Sequence, residues 1–182
     1  MTKVINIFGG PGIGKTATAW SFAGYLKNKE FLVEYASEYA KELAYRENSK
    51  EDFDNQISLF AEQNRRIYSL INKELDYIIT DCPILQCHPY IGQSHSHFKT
   101  NRFEWEQHLE WFILKTFNMY QNINFLMIRD PNKRYIQKGR FQDKAKAIEI
   151  DKQTEEILDK FQIPYYSIKS FEDMIRLGNW SP

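Results

Sequence analysis

The sequence predicts a single three-layer α/β/α domain built on a parallel β-sheet, and three observations predict it. Short β-branched runs alternate with segments of helical periodicity, the order that a parallel sheet covered on both faces requires. A glycine-rich octapeptide joins the first run to the first helix. The length, 182 residues, suits one core, because a chain near this size buries roughly 70% of the surface its unfolded form exposes.

The elements follow in order. Lys3–Phe8 reads as a strand ending on glycines, and Thr16–Asn28 as a helix with Ala19, Trp20, Phe22, Ala23 and Leu26 at helical spacing. Phe31–Ala36 is a second strand and Glu38–Arg46 a short helix. From Glu51 to Leu75 the positions Phe53, Ile57, Phe60, Ala61, Ile67, Leu70 and Ile71 recur three or four apart, which predicts a long amphipathic helix. Tyr77–Thr80 is a third strand, stopped by Asp81, Cys82 and Pro83. After a loop rich in His, Tyr and Gly, Phe103–Tyr120 reads as an aromatic-rich helix and Asn124–Ile128 as a fourth strand. Asp130-Pro131 opens a basic helical segment running to Phe161. Pro164 then precedes a fifth strand, Tyr165–Ile168, and a closing helix from Ser170. No repeat or Pro/Gly-rich linker divides the chain, so residues 1–182 are read as one domain.

Charge narrows the class of partner. Lys and Arg number 24 and Asp and Glu also 24, which excludes a whole-molecule field that gathers nucleic acid or anionic membrane. The balance is local, however: Arg129 to Lys146 holds seven bases and two acids, whereas Glu30 to Glu62 holds nine acids and three bases. The longest apolar stretches, about five residues, fall far short of the roughly 20 that span a bilayer. The first apolar run ends in glycines instead of a cleavage site. Cys82 and Cys87 are too few for a disulfide scaffold or a metal knuckle, so a soluble protein of a reducing, cytoplasmic compartment is expected.

Gly9-Gly10-Pro11-Gly12-Ile13-Gly14-Lys15-Thr16 fits G-x-x-x-x-G-K-[ST], and it lies between a hydrophobic strand and an amphipathic helix, where the pattern has physical meaning. Glycines let the backbone curl around a phosphate, and the helix offers free amides and a positive dipole end to the same anion. Gly10, Pro11, Gly12, Ile13, Gly14, Lys15, Thr16 and Ala17 are therefore the expected contacts to ATP. Lys15 would reach the β- and γ-phosphates, and the Thr16 hydroxyl would take one position on Mg²⁺.

Asp81 ends an apolar strand, so it falls at the carboxyl edge where open α/β sheets bind ligands, the place for an acid that holds Mg²⁺ with Thr16. Glu38 also follows a strand. It would accept a hydroxyl proton or hydrogen-bond the acceptor; the alternative is a helix-terminal Glu acting on the dipole beside Ser37 as N-cap. The basic segment 129–146 is read as a lid whose Arg129, Arg134 and Arg140 stabilise charge on the transferred group, with Arg134 also on the nucleotide and Arg140 catalytic. Residues 84–121 are read as an acceptor cap holding all four histidines, His88, His95, His97 and His108. Gln63 and Arg66 are weaker candidates for acceptor contacts, set against a solvated helix face.

With these pieces in place, the chain resembles the P-loop kinase group that includes the ribosylnicotinamide-kinase domain of NAD-salvage proteins and related AAA-like phage and bacterial proteins. The resemblance is carried by Gly9–Thr16, by Glu38-Tyr39-Ala40-Lys41-Glu42-Leu43, by Ile78-Ile79-Thr80-Asp81-Cys82-Pro83, and by Gly139-Arg140-Phe141-Gln142 with Ala147-Ile148-Glu149-Ile150-Asp151. It implies a five-stranded parallel sheet in 2-3-1-4-5 order, with Glu38 or Asp81 as catalytic base and Mg²⁺ ligand. The expected activity is ATP- and Mg²⁺-dependent phosphoryl transfer to a nucleoside or nucleotide. Two alternatives stand beside it: a kinase acting on DNA, on a hydroxymethylated base or a polynucleotide end, and an ATP-driven switch without a phosphoryl acceptor.

Overall fold

The computed structural model describes residues 1–45, 55–71, 73–93, 102–178 and 180. The strands are β1 (Lys3–Phe8), β2 (Val33–Ala36), β3 (Tyr77–Thr80), β4 (Gln121–Met127) and β5 (Tyr166–Ile168). They form one sheet in the order β2-β3-β1-β4-β5, and every pairing is parallel. The helices are α1 (Lys15–Asn28), α2 (Tyr39–Leu43), α3 (Gln56–Ile71), α4 (Arg102–Phe117), α5 (Lys144–Lys160) and α6 (Phe171–Leu177), with a 3₁₀ helix over Ile84–Gln93. The expected sheet order and the α/β class are those observed.

Each face of the sheet has its own core, because successive strand residues point to opposite sides. Ile5, Ile7, Ile79, Phe125 and Met127 pack with Phe22 and Leu26 of α1 and Met174 of α6. Val4, Phe8, Ile78 and Leu126 pack with Phe60 and Ile67 of α3, Ile113 and Phe117 of α4, and Leu158 of α5. Full burial of one such side chain is worth about 1.5–3 kcal/mol. A single polar residue interrupts the buried run of β1. Asn6 is buried, and its amide donates to Asn122 Oδ1 at 2.8 Å and Asn124 Oδ1 at 3.0 Å on β4. Asn122 in turn donates to Phe117 O (2.7 Å) and Asn124 to Pro164 O (3.0 Å).

Three expectations change. The segment from Asp130 is not helical until Lys144: Pro131 sits in a turn, Gly139 has φ +75°, and Asp143 caps α5 by accepting Lys146 N–H at 2.8 Å. Trp20 lies outside the core at 61% exposed, edge-on to Tyr35. On α3 the apolar Ile57 is exposed while Gln56 and Gln63 are buried; Gln56 lines the cleft described below, and Gln63 faces polar backbone leaving β2. The predicted helical positions 46 and 51–54 lie outside the described residues.

Candidate active site

The loop Gly9–Gly14 leaves the carboxyl end of the central strand and enters α1. Gly9, Gly12 and Gly14 have φ of +136°, +73° and +118°, a region that side chains rarely adopt. Gly14 holds the N-cap position of α1, with no side-chain cap on the first amides, so these donors face the cleft. Lys15 Nζ donates to Gly9 O (2.6 Å) and Gly10 O (3.1 Å), which places the ammonium at the loop's concave side. The loop is fixed from behind. Gly9 N–H donates to Gln86 Oε1 (3.2 Å), and Gly10 N–H to Asp151 Oδ1 (2.6 Å). Asp151 pairs with Arg129 (2.5 Å), which also donates to Pro11 O (2.9 Å). Gln86 is anchored on α5 by donating to Thr154 Oγ1 (2.9 Å).

Asp81 is fully buried at the end of β3. Its Oδ2 accepts the Thr16 hydroxyl at 2.5 Å, and its Oδ1 is buried without a hydrogen-bond partner. An unpartnered carboxylate oxygen in the interior is costly, and a cation or its bound water would satisfy it. Among the described residues no group of three or more His, Cys, Asp or Glu gathers to hold a metal. Two oxygens, from a hydroxyl and one carboxylate, are the donor set of Mg²⁺, which keeps waters and phosphate oxygens for the remaining positions. Tyr35 lies beside Asp81, and its phenol is raised by burial first and then by that carboxylate.

Glu38 occupies the N-cap position of α2 yet makes no side-chain cap bond. The Ser37 hydroxyl, the alternative cap, accepts instead from Arg66 at 2.7 Å. Burial raises the Glu38 carboxyl above its ordinary value; Lys15, Lys41 and Arg140 oppose the rise and Asp81 adds to it. These influences place Glu38 within electrostatic reach of the loop lysine, the second acid and the basic segment. All four line one cleft or its wall.

That cleft has a volume of about 390 Å³ and is lined by Gly12, Gly14, Lys15, Thr16 and Ala17 on one side and by Glu38, Ala40, Tyr45 and Leu59 on another. Residues 136 and 138–142 cover it. The Tyr135 ring packs on Gly12, where an added Cβ would meet Cε2 at 2.6 Å, and Arg140 lies 5.6 Å from that ring's centre. Gly139 touches the Tyr45 hydroxyl, 2.7 Å from the position of an added Cβ. The segment therefore bridges the loop and the end of α2. From the 3₁₀ helix come Gln86, Cys87 and Tyr90. Burial pushes the Cys87 thiol up to about 12, and Glu38 adds to this, so Cys87 is a neutral wall residue.

Some expected residues fall elsewhere. Arg129 braces the loop through Asp151 and Pro11 and is not a lid arginine. Arg134 is exposed and outside the cleft lining, which leaves Arg140 as the arginine of this segment that faces the cleft. His88 and Lys160 both meet Glu110, at 3.2 and 2.5 Å, tying the 3₁₀ helix to α4 and α5. His108 is exposed, and His95 and His97 lie outside the described residues. Gln63 is not on a solvated face: it is 1% exposed. Asp151 and Gln86 were not foreseen as loop contacts, since they act from 141 and 77 residues away.

A five-stranded parallel sheet in this order, with a G-x-x-x-x-G-K-T loop after its central strand and an acid at the end of the neighbouring strand, is the fold of the P-loop kinases. The chain belongs to the AAA domain family, whose model matches residues 4–173. No curated protein matches the sequence. Among solved structures, a NadR protein in complex with NAD and AMP-PNP superposes with a TM-score of 0.60 at 14% identity, covering 96% of this chain and 48% of that one. The chain thus spans about half the length of that NadR protein. Thymidylate kinase from Ehrlichia chaffeensis superposes with a TM-score of 0.59 at 15% identity over 97% of this chain and 98% of the enzyme. Deoxyadenosine kinase from M. mycoides with bound dATP gives 0.55 at 17% identity, covering 96% of each chain. Among the described residues, no helix is long and apolar enough to cross a membrane.

Proposed function

We propose that the chain is a Mg²⁺-dependent phosphotransferase that moves the γ-phosphoryl group of ATP to a nucleoside or nucleotide. One observation carries this reading: the phosphate loop, Thr16 with Asp81 bonded behind it, the half-buried Glu38 and Arg140 gather at a single cleft of about 390 Å³. That volume lies within the range of small-molecule sites, which favours a free nucleoside or nucleotide over a duplex.

In this mechanism the loop amides, the α1 N-terminus and Lys15 hold the donor's phosphates. Thr16 and Asp81 would hold Mg²⁺, which when bound neutralises charge on the phosphates. Glu38 takes the proton of the acceptor hydroxyl as its oxygen bonds to the γ-phosphorus and the bond to the β-phosphate oxygen breaks, releasing ADP. A carboxylate made more basic by burial suits that task. Arg140 faces the transferred group, and within residues 129–146 the part over the cleft, 136–142, acts as a lid that keeps water out. The 3₁₀ helix and α4, within residues 84–121, form the acceptor cap.

Incubation with γ-labelled ATP, Mg²⁺ and a panel of nucleosides, nucleotides and DNA tests the reading. One small acceptor becomes labelled, with a nearly flat response to salt. Label on DNA with steep salt dependence would transfer the reading to polynucleotide. Release of inorganic phosphate alone, unchanged by every acceptor, would refute it.

A further inference from the structure

We propose that Gln63 is a positioning residue that holds Glu38 and Asp81 at a fixed separation across the split between β2 and β3; this rests on the phosphotransfer reading above. Ala36 and Thr80 are the last paired residues of the two strands. Beyond them the chains part, one into Ser37, Glu38 and α2, the other into Asp81, Cys82 and the 3₁₀ helix. The primary amide of Gln63 fills the fork. Its Oε1 accepts Tyr39 N–H at 3.0 Å, while its Nε2 donates to Ser37 O at 3.2 Å and reaches Thr80 Oγ1 at 3.4 Å. Thr80 Oγ1 also accepts Cys82 N–H at 3.1 Å.

Both residues flanking Glu38 and both residues flanking Asp81 are thus tied, directly or through Thr80, to one buried side chain. The orientation of the amide is forced, since Tyr39 N–H can only donate and the Ser37 carbonyl can only accept. A carboxylate at this position would face the Ser37 carbonyl with a lone pair, and an apolar side chain would remove the Gln63 bonds to Tyr39, Ser37 and Thr80, leaving Ser37 O only its bond from Arg66. Arg66, one turn further along α3, reinforces the same segment by donating to Ser37 O (3.3 Å) and to both oxygens of Glu42 (2.6 and 2.8 Å). Gln63 lines the same cleft as the loop, but its hydrogen bonds go to Tyr39, Ser37 and Thr80 and not to the residues that would bind the donor, so its loss misplaces the acids and leaves the phosphate site intact.

The test is Gln63→Met, close in shape and without polar atoms, with kcat, the KM for ATP and the stoichiometry of ATP binding measured together. Displacement of a reacting group by about 1 Å costs on the order of 100-fold, so kcat falls ~10–100-fold. The KM for ATP stays within about threefold and ATP binding remains stoichiometric. Thr80→Val, which keeps the shape and severs only the Asp81 side, lowers kcat by a smaller factor with ATP binding intact. The inference is overturned if either variant turns over at the wild-type rate, or if the loss of kcat merely matches an equal loss of molecules able to bind ATP. A wild-type protein inert toward every acceptor refutes the phosphotransfer reading itself, and is told apart from these outcomes by the wild-type control.

Discussion

Gly10 is not a fixed position of the loop pattern, and its φ lies outside the left-handed region, yet the fold leaves no space for a side chain there. A Cβ on Gly10 would stand 2.4 Å from Ala147 O and 2.6 Å from Asp151 Oδ1. The first of these is backbone, so no rotamer change relieves it: the first turn of α5 must retreat by about 1 Å to reach an ordinary 3.4 Å contact. Overpacking of this kind costs about 1–3 kcal/mol. Pushing Asp151 off the Gly10 amide forfeits a charge-assisted hydrogen bond worth about 1.5–3 kcal/mol, and Arg129 loses its seat with it. Gly10→Ala is therefore expected to destabilise the fold by about 2.5–6 kcal/mol. In a chain of this size each kcal/mol moves Tm by about 2–4 °C, so the fall is roughly 5–24 °C. Thermal melting by circular dichroism measures it, with Gly24→Ala as control. Gly24 lies within α1 with nothing within 4 Å of an added Cβ, so that change should stabilise by about 0.5–1 kcal/mol. A Gly10→Ala melt within about 2 °C of wild type would show that the loop is not braced against α5, and the argument would fail.

Glu38→Gln should lower kcat by about 10²–10⁴-fold and remove the acid limb from its pH profile. The same change should raise Tm near neutral pH: the folded-state pKa of Glu38 lies above its ordinary value, so its ionisation costs stability as pH rises through the folded pKa. The difference should shrink below the ordinary carboxylate range, where both states are protonated. Asp81→Asn keeps an acceptor for the Thr16 hydroxyl but removes the charge. It should raise the Mg²⁺ concentration needed for half-maximal rate by about tenfold or more, as read by metal titration at fixed ATP, and an unchanged titration would remove Asp81 from the metal site. Arg140→Ala should reduce kcat by at least about tenfold, whereas Arg134→Ala, at an exposed position, should stay within about threefold. Equal losses would place both arginines at the nucleotide.

What could be read from the sequence divides along a physical line. The strands and the loop were legible because each is specified by neighbouring residues: β-branched runs ending on glycine, and an octapeptide whose chemistry needs every fixed position. Asp81 and Glu38 were legible because a strand's carboxyl end is a place as well as a composition. Asp151 was not, since its side chain acts on Gly10 from a helix 141 residues away. Only the assembled sheet brings the two together. Arg129 and Arg134 look alike as members of one basic run, and the difference between a half-buried brace and an exposed side chain depends on Asp151. Gln63 lines the cleft and not a solvated face, for a related reason. Polarity on a helix face ordinarily means water, and here it serves the backbone where two strands diverge.

The amides of Asn6, Asn122 and Asn124 have a consequence for how accurately the sheet assembles. A β1 that paired with β4 one residue out of step would turn Asn6 into the opposite apolar core, burying an amide without partners at a cost of about 1–3 kcal/mol. It would also shift the phosphate loop by roughly 3.3 Å against the neighbouring strands, enough to separate Thr16 from Asp81. The single buried polar residue in the central strand thus acts as a proofreader during folding, penalising the misassembled chain whose nucleotide loop and acid would not meet.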